Sequence, residues 1–581
     1  MKKSRLKGLL ASTAISIAGA KEWHLLREAC IFPRIHQAKT LRAILENAKD
    51  TVYGKEHHFD EILAAGSDFQ MFELYRKYNK PSEFEDFRPY VNRMLQGEPD
   101  ILFKGKPTLY ATTSGSTGEP KYVPISQQYL TNAYSRMTKL WLRNYVKHKR
   151  HVFDGQIFVI IGKEVECYAP DGTVCGSVSA FLQRNAPGFI RDLYAIPDAV
   201  YDIEDYAVRN YVLMRIGLEH NITLWIVPNP STIVEMQNNV DKWLDQMIDD
   251  IGNGTISDQF DIPENIRKAL CANLKPNPER AFELRALQSQ YDRVLPRHYW
   301  PDLQLLSSWK CGNTQIYLKK MSDYYHSSIY YQELGYFATE CRAGLVFDET
   351  LDSVLMANMH FFEFKREKDL GDPDAPFYFL WELKEGERYC PYVTTWSGLY
   401  RYNMNDILQA GPAFFNTPKV HMVQKVNGIV SITGEKLYED QFIKAVDQAQ
   451  ESTGMKLSYY TGYVNLNESR YDWYFEFVDR KTSQKQADQF AKVVDENLKK
   501  LNIEYESKRK SFRLNDPAVY LLQEKAFDKF KEFIINRSKR DASRFKPNVL
   551  AQDESKHAVI HNLRLKREAR RAEKANKAEK E

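Results

Sequence analysis

The stretch LYATTSGSTGEPKYVP, residues 109–124, decides how the chain is interpreted. It begins as a short apolar strand, continues as a run of hydroxyl and glycine residues, and reaches a lysine at position 121. Glycines let the backbone come close to an anion and turn its N–H groups toward it, while hydroxyls add donors and Lys121 adds positive charge. The run consists of Thr112, Thr113, Ser114, Gly115, Ser116, Thr117 and Gly118. The stretch therefore predicts a strand followed by a phosphate-binding loop.

This loop is not a Walker A loop. That motif requires a glycine directly before its lysine and a serine or threonine directly after it. Here Pro120 precedes Lys121 and Tyr122 follows it, which excludes a P-loop kinase or ATPase. A flexible Ser/Gly linker remains the alternative interpretation of the loop.

The composition indicates a folded globular enzyme. The chain has 581 residues with 43% hydrophobic content, which is enough for several domains with sizeable cores. Its formal net charge is +4, far from the concentrated positive stripe that nucleic-acid binding needs. The seven cysteines are odd in number, scattered and without a C-x-x-C motif, so neither a disulfide framework nor a zinc site is predicted. We expect a cytoplasmic protein.

The N-terminus has the outline of a secretory signal. Four basic residues (Lys2, Lys3, Arg5 and Lys7) precede the apolar run LLASTAISIAGA, residues 9–20. The run is too short to span a bilayer, which needs about 20 apolar residues. Export is one alternative, and a helix that is buried or lies on the surface is the other. We treat residues 1–24 as an N-terminal extension with membrane-surface contact as an open question.

Hydrophobic patterns further along the chain favour an α/β body. Residues 38–48 repeat apolar positions at helical spacing, and TVYGKEHHF (51–59) then predicts a loop at Gly54. QIFVIIG (156–162) and ITLWIVPNP (222–230) are typical of buried strands, and residues 233–251 of an amphipathic helix. Alternation of strands and helices over residues 100–410 predicts an α/β fold.

A second domain is predicted after a boundary near residues 424–428. The following segment restarts as strand, turn and helix, and residues 457–466 and 471–477 predict a β-hairpin. We divide the chain into residues 25–424, a smaller α+β domain over 425–560, and a charged tail over 561–581 that is a solvated helix or disordered.

Two further segments resemble elements that accompany such a phosphate loop in one enzyme superfamily. The loop resembles that of the acyl-adenylate-forming superfamily. In GYFATECRAG (335–344), Tyr336 stands four residues before Glu340, which resembles the superfamily element that covers the adenine and places a carboxylate near magnesium. A carboxylate is a hard oxygen ligand that suits this ion. In VTTWSGLYRYNMNDIL (393–408), Asp406 resembles the residue that accepts hydrogen bonds from the ribose hydroxyls.

Nearly the whole chain resembles the auxin-responsive promoter family of acyl acid amido synthetases. The matching segments include PYVNRMLQGEPDIL, YAIPDAVYDIEDY, SSWKCGN, FFEF, GEKLYED and LNIEYESKR. The resemblance implies a large N-terminal domain of mixed sheets with helices and a small β-barrel, and a smaller mobile C-terminal domain over the ATP site. It also implies two half-reactions: a carboxylic acid and Mg-ATP give an acyl-adenylate, and an amine, usually of an amino acid, then displaces AMP.

The resemblance also implies roles for individual residues. Lys121, Glu340 and Lys546 are the expected catalytic residues, with Glu340 as the Mg²⁺ ligand. The expected nucleotide-binding residues are Thr113, Ser114, Gly115, Ser116, Thr117, Gly118, Tyr336, Thr339, Glu340, Asp406, Lys425 and Lys436.

The chain departs from the family pattern around two of these residues. Near Lys546, Arg544 replaces a glutamine and Pro547 follows the lysine directly. Before Asp406, Asn403 stands where the family usually has an arginine, and Asn405 where it has a glycine. Either ATP affinity is altered or this loop is held differently.

Two other functions remain open. An acyl-CoA synthetase would share the adenylation step and differ in its acceptor, and a non-catalytic nucleotide-binding scaffold would retain the motifs without turnover. We expect a monomer that acts on small molecules and does not bind nucleic acid.

Overall fold

The computed structural model describes residues 2–113, 121–185, 188–311, 318, 321–370, 372–426, 429–526, 529–530, 533 and 549–564. These residues form two compact units, the first ending at Val426 and the second following it. Predictions about the loop residues Ser114–Gly118, about Lys546 and its neighbours, and about the tail beyond residue 564 lie outside the described residues.

Helices make up much of the first unit. The α-helices are α1 (Lys2–Ile31), α2 (Pro33–Ala48), α3 (Val52–Glu56), α4 (Phe59–Leu63), α5 (Asp68–Tyr78), α6 (Phe84–Leu95), α7 (Gln127–Tyr129), α8 (Ser135–His148), α9 (Val178–Arg184), α10 (Gly188–Arg191), α11 (Tyr206–Glu219), α12 (Pro230–Asn253), α13 (Glu264–Cys271), α14 (Pro278–Gln290) and α15 (Pro296–Tyr299). A π-helical turn, Leu130–Tyr134, joins α7 to α8.

The strands of the first unit form several sheets. They are β1 (Leu109–Thr113), β2 (Lys121–Ile125), β3 (Gln156–Val159), β4 (Cys167–Tyr168), β5 (Val174–Cys175), β6 (Ile222–Ile226), β7 (Leu305–Ser308), β8 (Tyr330–Glu333), β9 (Gly344–Leu345), β10 (Val354–Leu355), β11 (Phe361–Arg366), β12 (Tyr378–Phe379), β13 (Arg388–Thr394), β14 (Tyr402–Asn403), β15 (Asp406–Phe414) and β16 (Thr417–Lys425).

A parallel sheet with the order β3-β6-β7-β8 is the centre of the α/β part. All five residues of β6 are buried, because a parallel sheet is covered on both faces and needs apolar strands without alternation. The predicted strands at residues 156–162 and 222–230 are therefore confirmed, as is the helix over 233–251, which is part of α12. Ligands of such sheets bind beyond the carboxyl ends of the strands.

Two other sheets carry the motifs found in the sequence. A mixed sheet with the order β2-β1-β5-β4 contains the strands on both sides of the phosphate loop. An antiparallel sheet with the order β12-β11-β13-β15-β16, with β14 paired to β13, contains the segment that ends at Asp406. The first unit thus has the mixed sheets and helices expected from the sequence.

The segment TVYGKEHHF is not the loop that its sequence predicts. Its residues 52–56 form α3, because the Thr51 hydroxyl caps this helix by accepting the Gly54 N–H at 3.0 Å, and its last residue, Phe59, begins α4. Gly54 does not end the helix; a Cβ there would lie 2.1 Å from the carbonyl oxygen of Ala48, so glycine permits close packing instead. His58, with φ of 54°, makes the turn between the two helices.

The second unit is an α+β fold. Its strands are β17 (Ile429–Val430), β18 (Leu437–Tyr438), β19 (Leu457–Asn465), β20 (Arg470–Phe477), β21 (Ala518–Leu521) and β22 (Leu550–Ala551). Its helices are α16 (Glu439–Thr453), α17 (Gln484–Leu501), α18 (Ile503–Lys510) and α19 (Glu554–Asn562). β19 and β20 form the predicted antiparallel hairpin, and the sheet order is β21-β20-β19-β22.

Candidate functional site

The predicted phosphate loop lies, in the sequence, between two paired strands. In the β1–β2 ladder Thr113 lies opposite Lys121, so the backbone is fixed on both sides of residues 114–120. The Thr112 hydroxyl donates a hydrogen bond to the carboxylate of Glu166, which directly precedes β4, and this bond fixes the end of β1. Lys121 is buried, with 7% of its surface exposed, and its ammonium lies 5.4 Å from the centre of the Phe84 ring. The side chain of Thr113 lies outside the described part of the structure.

The Tyr336 segment begins at the carboxyl end of β8. Glu333, the last residue of that strand, is buried and accepts hydrogen bonds from the N–H groups of Gly335, at 3.1 Å, and Lys310. Gly335 has φ of 105°, and a Cβ there would lie 2.5 Å from the carbonyl oxygen of Gly344. Only glycine fits this position without strain. The turn directs the chain from the parallel sheet toward Tyr336.

A tight turn presents Glu340. Phe337 pairs with Arg342 across it, and the Ala338 N–H donates to the Cys341 carbonyl at 3.0 Å. Glu340 at its tip is buried, and its Oε1 accepts a hydrogen bond from the Tyr402 hydroxyl at 3.2 Å. Thr339 beside it is half-buried. The carboxylate of Glu340 is thus oriented by a residue of the segment that contains Asp406.

Asp406 is joined directly to Tyr336. Its side chain is only 2% exposed, and its Oδ2 accepts a hydrogen bond from the Tyr336 hydroxyl at 2.7 Å. Burial, together with the nearby negative charge of Asp406, raises the pKa of Tyr336 well above its usual value, so the phenol is a donor at neutral pH. Asp406 begins β15 opposite Lys425 of β16, whose backbone is described but whose side chain is not. The second and third motifs therefore meet.

The unusual residues Asn403 and Asn405 share one partner, Glu83. Its carboxylate accepts hydrogen bonds from the Asn403 Nδ2 and the Asn405 Nδ2, each at 2.7 Å. Asn405 has φ of 53°, a left-handed conformation that asparagine tolerates better than most residues. Asn403 Oδ1 accepts the Asn405 N–H at 2.9 Å, which closes the turn before Asp406. The loop is thus held by a carboxylate on another element.

Glu83 also links this loop to Lys121. Although Glu83 is exposed, partial removal of its carboxyl group from water raises its pKa, while the hydrogen bonds from Asn405 and Asn403 and the positive charge of Lys121 act in the opposite direction. Backbone hydrogen bonds also join the residue before Glu83 to the loop, since the Ser82 N–H donates to the Arg401 carbonyl at 3.0 Å and the Asn403 N–H donates to the Ser82 carbonyl at 2.8 Å.

A buried ion cluster fixes Arg401, which lies in the segment before Asp406. Arg401 donates to both carboxylate oxygens of Glu363, at 2.7 and 3.3 Å, and Arg76 donates to the same group at 2.7 Å. Glu363 and Arg401 are both almost completely buried. Such a cluster is costly to break because removal of one partner leaves an uncompensated charge.

The remaining predicted residues lie elsewhere or are not described. Lys436 belongs to the second unit, where its N–H donates to Glu504 at 2.9 Å and its carbonyl accepts from Asn502 at 2.7 Å. Lys546 and Ser114–Gly118 lie outside the described residues. Within the part of the chain that the structure describes, no group of three or more His, Cys, Asp or Glu side chains could hold a metal ion by itself.

Three contributors to the site, Glu83, Glu333 and Tyr402, are missing from the residues that the sequence predicts. Glu83 and Asn403 are 320 positions apart, so no local spacing connects them. The signal that existed was the pair of departures at Asn403 and Asn405, because two new side-chain amides require an acceptor.

Models of one protein family match most of the chain. The GH3 family N-terminal domain matches residues 23–329, the GH3 family central domain residues 353–425, and the GH3 family C-terminal domain residues 440–555.

Curated relatives match over similar lengths. Indole-3-acetic acid-amido synthetase GH3.15 of Arabidopsis thaliana is 25% identical, with 91% of this chain and 92% of that protein covered. The 4-substituted benzoates-glutamate ligase GH3.12 of the same plant is 24% identical, with 80% and 85% covered. The solved structure of the GH3.15 acyl acid amido synthetase has a TM-score of 0.61 at 21% identity and covers 94% of this chain and 96% of that one. This structural likeness shows a shared fold.

Proposed function

This chain belongs to the GH3 family, and we propose on that premise that it is an ATP-dependent acyl acid amido synthetase. It adenylates a carboxylic acid and transfers the acyl group to an amine, as an acid–amino acid ligase does. The observation that carries the proposal is the meeting of two motifs far apart in sequence: Tyr336 binds Asp406 at 2.7 Å, and Tyr402 binds Glu340 at 3.2 Å.

The chemistry consists of two displacements. In the first, a carboxylate oxygen of the acid attacks the α-phosphorus of ATP, the bond to the β-phosphate oxygen breaks, and pyrophosphate leaves. In the second, the nitrogen of the amine attacks the acyl carbon, AMP leaves with the electrons of the broken bond, and the amine loses a proton. Neither step needs a nucleophile from the protein, so positioning and charge neutralisation carry the catalysis.

The described residues suit these tasks. Asp406, held by the Tyr336 hydroxyl, accepts hydrogen bonds from the ribose hydroxyls. Lys121, on the strand after the phosphate loop, places a positive charge beside that loop. The buried carboxylate of Glu340 is a hard oxygen ligand of the kind that Mg²⁺ accepts together with substrate phosphates. When bound, Mg²⁺ would neutralise part of the phosphate charge.

The C-terminal residues complete the proposal through the family resemblance. Residues 425–560 would form a mobile lid that supplies Lys546, or alternatively Lys425 or Lys436, to the phosphates during adenylation.

The proposed location is the cytoplasm. No disulfide joins the seven cysteines, all of which belong to the described residues.

The identity of the acid and of the amine is open to direct measurement. Carboxylate-dependent exchange of labelled pyrophosphate into ATP tests the first half-reaction, with a panel that includes indole-3-acetate and 4-substituted benzoates because relatives are named for them. Mass spectrometry after addition of mixed amino acids, and separately of CoA, then identifies the acceptor. An amide supports the proposal, and a thioester would make the chain an acyl-CoA synthetase.

A matched pair of variants ties the activity to the site. Asp406→Ala should weaken ATP binding by about 1.5–3 kcal/mol for each lost hydrogen bond to the charged group, at most. Asp374→Ala, at an exposed position of the same unit, should leave exchange unchanged. ATP binding without exchange for any acid would favour the scaffold alternative.

A further inference from the structure

The N-terminal helix α1 docks along α8 by a narrow face. Between residues 7 and 26 its buried positions repeat with spacings of four and three residues, and they are Gly8, Ser12, Ile15, Gly19, Glu22 and Leu26. This repeat keeps one face of a helix against a neighbouring helix. The two helices run antiparallel, because Ser12 contacts Arg150 whereas Glu22 pairs with Arg136 at 2.7 Å.

Small residues allow this close packing. A Cβ at Gly8 would lie 2.5 Å from the carbonyl oxygen of Phe153, and a Cβ at Gly19 would lie 2.6 Å from the Cβ of Arg143. The Ser12 hydroxyl donates to the Arg150 carbonyl at 3.3 Å. The segment that resembles a secretory signal is therefore part of a helix that packs within the first unit, and Gly8, Ser12 and Gly19 face inward.

The opposite face of α1 exposes two large apolar residues. Leu10 is 63% exposed and Ile17 is 70% exposed. Since they are seven positions apart, they lie on the same face two turns from each other, and Ala14 between them is also exposed. Exposed Lys7 and Lys21 flank this face, and about 21 Å of helix separates them. We call the face with Leu10, Ala14 and Ile17 the outer face of α1.

The sequence around α1 is rich in positive charge, although the whole protein is nearly neutral. Residues 2–21 contain no Asp or Glu, and their basic residues are Lys2, Lys3, Arg5, Lys7 and Lys21. The helix α8 likewise contains no acidic residue, and its exposed lysines are Lys139 and Lys147. The whole chain carries only +4, so these two paired segments concentrate its positive charge.

We propose that the outer face of α1, together with the exposed lysines of α1 and α8, docks this protein on an anionic lipid bilayer. An apolar strip with lysines beside it matches an interfacial helix, which buries its apolar side chains at the headgroup boundary while its cations meet lipid phosphates. The helix lies in the plane of the surface. Among the described residues no helix is long and apolar enough to cross a membrane. This inference does not depend on the proposed activity.

Vesicle sedimentation of the full-length protein tests the proposal. We expect binding to phosphatidylcholine vesicles that contain about one third phosphatidylglycerol, and much weaker binding to phosphatidylcholine alone. Binding should fall when the salt concentration rises from 0.1 to 1 M, because the screening length shortens from about 10 Å to about 3 Å.

Paired variants separate the two contributions. Leu10→Glu with Ile17→Glu should reduce binding about tenfold or more, whereas Phe282→Glu, at a 75% exposed apolar position on α14, should leave it unchanged. Lys139→Gln with Lys147→Gln should reduce binding to anionic vesicles by about fivefold for each charge, and this second variant leaves the helix itself intact. Pyrophosphate exchange without vesicles and the melting temperature should stay unchanged in all of them.

Two results would overturn the proposal. One is wild-type protein that does not sediment with anionic vesicles, or that sediments equally well after Leu10→Glu and Ile17→Glu. The other is a dimer in light scattering that these substitutions abolish while vesicle binding is absent, which would make the outer face an interface between copies of this chain.

Discussion

Replacement of Glu83 tests how the loop before Asp406 is held. Glu83 lies at the protein surface and its carboxylate accepts from both Asn403 and Asn405 at 2.7 Å. Because solvent screens this site, we expect the two bonds together to contribute about 1–3 kcal/mol, less than two buried bonds to a charged group. Without them the left-handed turn at Asn405 loses its support, and Asp406, the next residue, is no longer fixed in place.

The expected effect of Glu83→Ser is a weaker affinity for ATP with little change in folding. If all of the lost energy serves to position Asp406, the Kd for ATP rises by about 5- to 150-fold, which corresponds to 1–3 kcal/mol. Serine is chosen because it is a favourable N-cap for α6 but is too short to reach either asparagine. The Asp86 carboxylate, which accepts the residue-83 N–H at 2.8 Å, is retained.

A double-mutant cycle separates this bridge from other roles of Glu83. Asn403→Ala with Asn405→Gly removes both amide donors and restores a glycine at the left-handed position. In that background Glu83→Ser should have no further effect on ATP binding, so the coupling energy should equal the effect of the single substitution. Calorimetric titration with ATP measures the Kd of each variant, and the melting temperatures of the variants should be equal. An unchanged Kd in Glu83→Ser, or equal losses in both backgrounds, would refute the argument.

Three further predictions concern Tyr336, Glu340 and His360. Tyr336→Phe removes the donor to buried Asp406, so ATP affinity should fall by about 1–3 kcal/mol in the same calorimetric titration, and an unchanged Kd would mean that the bond does not position Asp406. Glu340→Gln should raise the Mg²⁺ concentration needed for half-maximal exchange, because a neutral amide is a poorer ligand for a hard cation; an identical Mg²⁺ titration would make Glu340 a structural residue. Burial lowers the pKa of His360 from 6.5 to about 3, so the unfolded chain binds the extra proton below pH 6.5 and stability falls as the pH drops from 6.5 toward 3. His360→Gln should flatten that part of the stability curve in chemical unfolding measured at several pH values, and an equally steep curve would assign the acid sensitivity to other groups.

The fold was predictable where the sequence pattern is local. The strands at β3 and β6 were recognisable because a parallel sheet covered on both faces requires unbroken apolar runs. The hairpin of β19 and β20 follows from two aromatic and β-branched runs separated by a short polar turn. The segment over α3 and α4 was predicted wrongly because Gly54 has the local signature of a break, whereas its native role is close approach to the Ala48 carbonyl.

The sequence by itself determined which side chains are available for the proposed chemistry. Residue type and order predict Glu340 as a hard oxygen ligand, Asp406 as an acceptor and Lys121 as a cation after a glycine-rich loop, since these properties belong to the side chains wherever they lie. The same motifs, taken in order along the chain, also identify the family.

Only the tertiary structure decided which groups support those residues. The Tyr336 hydroxyl meets Asp406 across 70 positions, and Glu83 reaches Asn405 across 322. Likewise, whether the apolar N-terminal run faces a neighbouring helix or solvent depends on the packing of α1 against α8. Hydrogen-bond partners and buried faces are chosen by which elements the folded chain brings together, and short-range patterns in the sequence contain no information about that choice.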